Sequence, residues 1–140
     1  FDQLSENYKA EREEHYLTPL RDFEQWQKEG SNIHDTNIAD IIKALDALCR
    51  YEEAESLCDR IIAESQNVYM TAFPLLYKGN RMLHRYDKNG IDLIYRSINL
   101  NSNLISTGLD MIGSYCQQMG LEKELNEYRK KVENSLVYPS

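Results

Sequence analysis

IADIIKALDALCRYEEAESLCDRII, residues 38–62, reads as two helices joined by a short turn. Ile38, Ile41, Leu45 and Leu48 recur three and four positions apart, which puts them on one side of a helix of about 3.6 residues per turn. Beyond Arg50 the chain turns acidic with Glu52 and Glu53, and apolar positions resume at Ala54, Leu57 and Cys58. Acidic residues in an opening helical turn favour the positive end of the helix dipole. A helix pair of this size leaves one apolar face uncovered, so it needs a neighbour.

Neighbours of the same kind follow. Leu76, Gly79, Met82 and Leu83 form a second apolar stripe, and Leu109, Ile112, Gly113 and Cys116 a third. Each stripe precedes a second-helix block, and Ala54, Gly90 and Leu125 are equivalent positions in the three blocks, about 35 residues apart. Three prolines (Pro19, Pro74, Pro139) and the absence of strict alternation leave no room for half-buried strands. The fold class is all-α.

Three stretches resemble tetratricopeptide repeats: residues 38–62 above, LLYKGNRMLHRYDKNGIDLIYRSINLNSN at 75–103, and LDMIGSYCQQMGLEKELNEYRKKV at 109–132. The family's period is 34 residues. The resemblance implies an α-α superhelix of helix pairs, with repeats at 31–67, 68–102 and 103–136 in a single domain spanning 1–140. The family places a small residue in mid first helix, as Gly79 and Gly113 do and Ile42 does not, and another early in the second helix. Ala54 and Gly90 satisfy the latter, whereas Leu125 is large, so the third pair is expected to pack more openly. The family's turn proline is absent, with Gln66 and Ser102 near its places. A more distant likeness is to the soluble tails of membrane zinc metallopeptidases, whose HExxH motif this chain lacks.

Residues 1–30 form an N-terminal helical segment, in which Phe1, Leu4 and Tyr8, then Leu17, Leu20, Phe23 and Trp26, recur at helical spacing. Thr18-Pro19 either starts a second helix, with Thr18 as N-cap, or lies inside one kinked helix. Gly30 ends the segment, which covers one end of the stack or lies in its groove. The last helix, rich in Glu and Lys from Glu122 to Glu133, reads as a solvating cap at the other end.

Composition narrows the chemistry. The formal charge is -7, from 16 Lys+Arg against 23 Asp+Glu, which speaks against nucleic acid or anionic membranes as partners. No apolar run approaches the roughly 20 residues of a membrane span. The chain opens at Phe1, which leads to the expectation of a piece cut from a longer protein. Cys49, Cys58 and Cys116 fit neither a disulfide framework nor a zinc knuckle, and each falls on an apolar stripe where cysteine acts as a small hydrophobe. The expected compartment is the cytoplasm, for the chain alone or as the soluble part of a membrane protein.

His15, His34 and His84 stand singly, with no second histidine at metal-ligand spacing, and a Cys116–His84 pair lacks any local signature. The glycines are scattered, and the acidic runs read as solvated helix faces. No enzyme, metal or cofactor is therefore expected.

One local feature breaks the acidic background. Lys78, Arg81 and Arg85, spaced three and four apart, share a helix face, with His84 and Lys88 nearby. They either hold an acidic peptide or phosphate, or match acidic residues of the first segment, or are simply solvated. By the resemblance, a ligand lies in the groove lined by the first helices, which brings in Lys43, Phe73, Leu76, Tyr77, Asn80 and His84. Ala39, Asp46, Leu83, Asp110, Ser114 and Gln117 would complete that lining. Only Lys43 and Asn80 match the cationic and amide set of family members that grip chaperone tails, with Ala39, Thr107 and Met111 in the other places. The expected function is protein-protein interaction through a peptide or helix in this groove, an acidic one being one candidate. The alternative is a regulatory or accessory tail of a larger enzyme such as a membrane metallopeptidase.

Overall fold

The computed structural model describes residues 2–30 and 38–137. These residues form seven α-helices and two single 3-10 turns, with no strand among them. Contacts group the chain into two compact units, Phe1–Ser65 and Gln66–Ser140.

The first unit holds α1 (Asp2–Lys28), α2 (Ile38–Ala47) and α3 (Tyr51–Glu64), with α2 packed between the other two. Helix α1 runs unbroken through Pro19. Thr18 does not cap a new helix, because its hydroxyl donates back to the Glu14 carbonyl at 3.0 Å, within the preceding turn. Gly30, at φ 82°, takes the left-handed conformation that stops the helix. Leu20 is buried, Leu17 and Phe23 are half-buried, and Trp26 stays 44% exposed. Polar ties run along the edge: Arg60 donates to Gln27 at 3.2 Å, and Arg50 pairs with Glu53 at 2.5 Å and Glu24 at 3.6 Å. Ile41, Ile42 and Leu45 of α2, with Ala54, Cys58 and Ile61 of α3, are buried. The side chains of Phe1, Leu4 and Tyr8, and the whole of His34, lie outside the described residues.

The second unit holds α4 (Ala72–His84), α5 (Gly90–Leu100), α6 (Ile105–Met119) and α7 (Glu122–Val137). Leu76 and Leu83 of α4, Ile91, Ile94 and Ile98 of α5, Ile112 and Cys116 of α6, and Leu125 and Val132 of α7 share one core. Helix α5 sits close to both its neighbours because glycine stands at each contact. A methyl group at Gly90 would lie 2.3 Å from the Gly79 carbonyl oxygen, and one at Gly108 would lie 2.7 Å from Ile98. At the corresponding place in the third pair, a methyl group on Gly113 would meet Leu125 only at 4.0 Å, ordinary contact. The α6–α7 pair is thus more open there, as the size of Leu125 implies. Pro74 lies in the first turn of α4, where its missing N–H has no intrahelical partner to lose.

The turns repeat as well. After α2, α4 and α6 the chain passes through a left-handed residue, Cys49 at φ 60°, Tyr86 at φ 61° and Gly120 at φ 70°. In each case the next amide reaches back five residues: Arg50 to the Leu45 carbonyl at 2.8 Å, Asp87 to Met82 at 2.9 Å, and Leu121 to Cys116 at 2.8 Å. These bonds satisfy carbonyls that a helix end leaves without donors. Cys49 was expected on a buried stripe. It is exposed instead, because α2 ends at Ala47 and the left-handed turn swings the following side chain away. Cys58 and Cys116 are buried, and no disulfide joins the three.

The lead-ins to α4 and α6 match each other too. Asn67 accepts from the Tyr69 amide at 3.1 Å and Asn101 from the Asn103 amide at 3.0 Å, and each opens a single 3-10 turn, Val68–Thr71 or Ser102–Leu104. Asn67 and Asn101, Gly79 and Gly113, and Tyr86 and Gly120 are each 34 positions apart.

Replacing Gly90 by Ala should destabilise the protein by about 3 kcal/mol, since backbone must move to admit the methyl group. Gly113→Ala should instead stabilise it by about 0.5–1 kcal/mol through helix propensity. Urea unfolding of both variants checks this, and equal tolerance would remove the close approach. In a thiol-labelling time course on folded protein, Cys49 should react at once, with Cys58 and Cys116 reacting only on unfolding.

Candidate functional site

Helix α4 presents two chemically different sides. At about 3.6 residues per turn, Asn80, Leu83 and His84 share one side, while Lys78, Arg81 and Arg85 point elsewhere. The first group faces α6, and between the two helices opens a cleft of about 410 Å³. From α4 it is lined by Asn80, Leu83 and His84, with Tyr86 at the turn. From α6 come Thr107, Asp110, Met111, Ser114, Tyr115 and Gln118, spaced three, four or one apart and so on one helical side.

The residues expected to act together are therefore separated. Asn80 and His84 reach the cleft, along with Leu83, Asp110 and Ser114. Lys78 and Arg81 are half-buried on another side of α4, and Arg85 is exposed at its C-cap. Leu76 belongs to the core rather than the cleft, at 2% exposure, and Phe73 packs against the same core. Tyr77 is half-buried outside the cleft lining, and Gln117 gives way to Gln118. Lys43 is exposed on α2 in the first unit. Of the aromatic residues of the middle pair, Tyr95 packs against the core, while Tyr69 and Tyr86 are 68% and 67% exposed.

Tyr115 and Gln118 were not foreseen as lining, whereas Tyr86 belongs to the aromatic set, with Tyr69, Phe73, Tyr77 and Tyr95, that the sequence offers a mixed apolar and polar peptide. Tyr115 and Gln118 were legible in principle, since they continue the face that runs from Thr107 through Met111 and Ser114. The left-handed backbone at Tyr86 was not legible, because sequence pattern assigns that conformation to glycine or asparagine.

A second cluster ties the α4–α5 turn to α7. The Lys88 ammonium pairs with the Glu124 carboxylate at 2.5 Å, so this member of the basic group is matched within the chain, by the last helix rather than the first segment. The hydrogen bond to Glu124 raises the Lys88 pKa above its ordinary value. Burial pushes the Cys116 thiol up, and burial followed by the charge of Asp92 does the same for the Tyr128 phenol. A thiol held in its neutral form is inert as a nucleophile, which argues against Cys116 in covalent chemistry.

Among the described residues no three His, Cys, Asp or Glu side chains converge to hold a metal ion, and no helix is long and apolar enough to cross a membrane. No protein-family model, curated protein or solved structure matches this chain.

Lys88, Cys116 and Tyr128 all hold their protons more tightly when folded. Ordinary values for these groups are about 8.5 for Cys, 10 for Tyr and 10.4 for Lys. Their contribution to stability is complete below about pH 8.5, and it is lost as pH rises, because the unfolded chain then binds fewer protons. Thermal unfolding midpoints should fall progressively between about pH 8.5 and 11, and the loss below about pH 10 should be smaller in Cys116→Ala.

Proposed function

We propose that the chain is a tetratricopeptide-like helical repeat module that binds a peptide or helix of a partner protein in the α4–α6 cleft and carries no catalytic apparatus. The observation that carries this reading is the cleft itself, a concave surface framed by the first helices of two successive pairs. The repeat character has its own support. Three landmarks, the asparagine lead-in, the mid-helix glycine and the left-handed turn, stand 34 residues apart between the α4–α5 and α6–α7 pairs, the period of that family, while the turn at Cys49 precedes that at Tyr86 by 37.

The lining suits a peptide better than a small metabolite. It mixes apolar Leu83, Met111 and Tyr115 with hydroxyl and amide groups from Thr107, Ser114, Asn80 and Gln118, the mixture by which grooves bury side chains while satisfying main chain. Methionine adapts its shape to the partner. The cytoplasm belongs to the same proposal, supported by three cysteines that form no disulfide.

Ser114 is exposed, so a bulky side chain there should fill the cleft without disturbing the core. Ser114→Trp is expected to abolish binding of peptides selected on the wild-type protein, while Arg81→Glu with Arg85→Glu leaves that binding in place. The opposite pattern, loss in the double variant and none in Ser114→Trp, would move the contact to the basic side of α4.

A further inference from the structure

Resting on the reading of the cleft as a peptide site, we infer that its partner is basic: the cleft receives a lysine or arginine side chain between the Asp110 carboxylate and the Tyr86 ring, with apolar residues of the partner against Leu83 and Met111. The sign of the charge comes first. Counting Asp, Glu, Lys and Arg, the lining carries a single formal charge, that of Asp110. The cations that made an acidic ligand attractive, Lys78, Arg81 and Arg85, are not among the residues of the cleft, and Lys88 is already paired with Glu124. An acidic peptide entering here would meet Asp110, whereas a cationic side chain would gain from it.

The second observation is Tyr86. A non-glycine residue at φ 61° is held in a disfavoured conformation, and the equivalent position 34 residues on is Gly120, which meets the same turn without strain. Stability alone therefore favours glycine at 86. Tyrosine there places a ring that is 67% exposed on the rim of the cleft. A π-face and a carboxylate lining one cleft are the groups that recognise an ammonium or guanidinium, and the hydroxyl of Ser114 and the amide oxygens of Asn80 and Gln118 can accept its remaining N–H groups. Strain retained at a site is a pointer to binding when the strained residue lines the site, as here.

A short capped peptide of alternating Leu and Lys, and its counterpart with Glu for Lys, are the probes, read by fluorescence anisotropy and by amide shifts of Thr107, Ser114 and Gln118. The Lys peptide is expected to bind more tightly, to move those amides, and to weaken as salt rises. Asp110→Asn should weaken it about fivefold. Tyr86→Gly should weaken it by about two- to fivefold while raising the thermal midpoint, so that lost binding cannot be put down to lost folding. Glu127→Gln, which removes the same charge from the exposed face of α7, should leave affinity unchanged. Equal or tighter binding of the Glu peptide with shifts at the same amides overturns the basic partner and leaves the cleft as a peptide site. Equal weakening by Glu127→Gln and Asp110→Asn overturns it also, by reducing the attraction to net charge. Silence of the cleft amides toward both peptides overturns the basic partner and the peptide site together.

Discussion

The α4–α5 contact at Gly79 and Gly90 governs the second unit. Two helices packed through ordinary side chains keep their axes about 8–10 Å apart. Here the backbones themselves touch, and neither glycine has space for a β-carbon. Bringing α5 that close lets Ile91, Ile94 and Ile98 reach the α4 side of the core and the α6 side at once, and Gly108 admits Ile98 on the far flank. With α5 behind them, α4 and α6 lie in contact across their inner edges, and the space between their outer edges is the cleft. The concavity is a consequence of close packing on the opposite side.

The turns act as spacers in the same arrangement. Each first helix closes on a left-handed residue whose neighbour's amide satisfies a helix-end carbonyl, so the chain reverses within two to five residues and the second helix is delivered beside the first. The lead-in asparagines do the complementary job at the start of α4 and α6, by holding an amide that the helix would otherwise leave without an acceptor. Polar groups at the ends are thereby settled locally, and side-chain packing is left free to decide how the pairs meet.

Much of this architecture was legible. Apolar stripes at Ile38, Ile41 and Leu45, at Leu76, Gly79 and Leu83, and at Ile112 and Cys116 placed helices where helices are, and the size of Leu125 foretold the looser third pair. The candidate site was legible only in part. Lys78, Arg81, His84 and Arg85 look like one group in the linear sequence, but a turn of about 3.6 residues sends His84 to the cleft and the other three elsewhere. Cys49 was misplaced, and the turn geometry of Tyr86 went unread, for one shared reason. Each sits at a helix end in a conformation that its residue type seldom adopts, and only the surrounding turn imposes it.

What the amino-acid order determined by itself is the all-α character, the approximate ends of the helices and the size of side chain at each interface, because helical periodicity and the presence or absence of a β-carbon are local properties. What only the tertiary structure decided is which polar residues share a surface: Asn80 and His84 with Asp110 and Ser114 across two helices, Lys88 with Glu124 across two pairs, Tyr86 at the rim. Those meetings depend on the relative placement of helices distant in sequence, and that placement is set by the summed packing of the core, which no single stretch encodes.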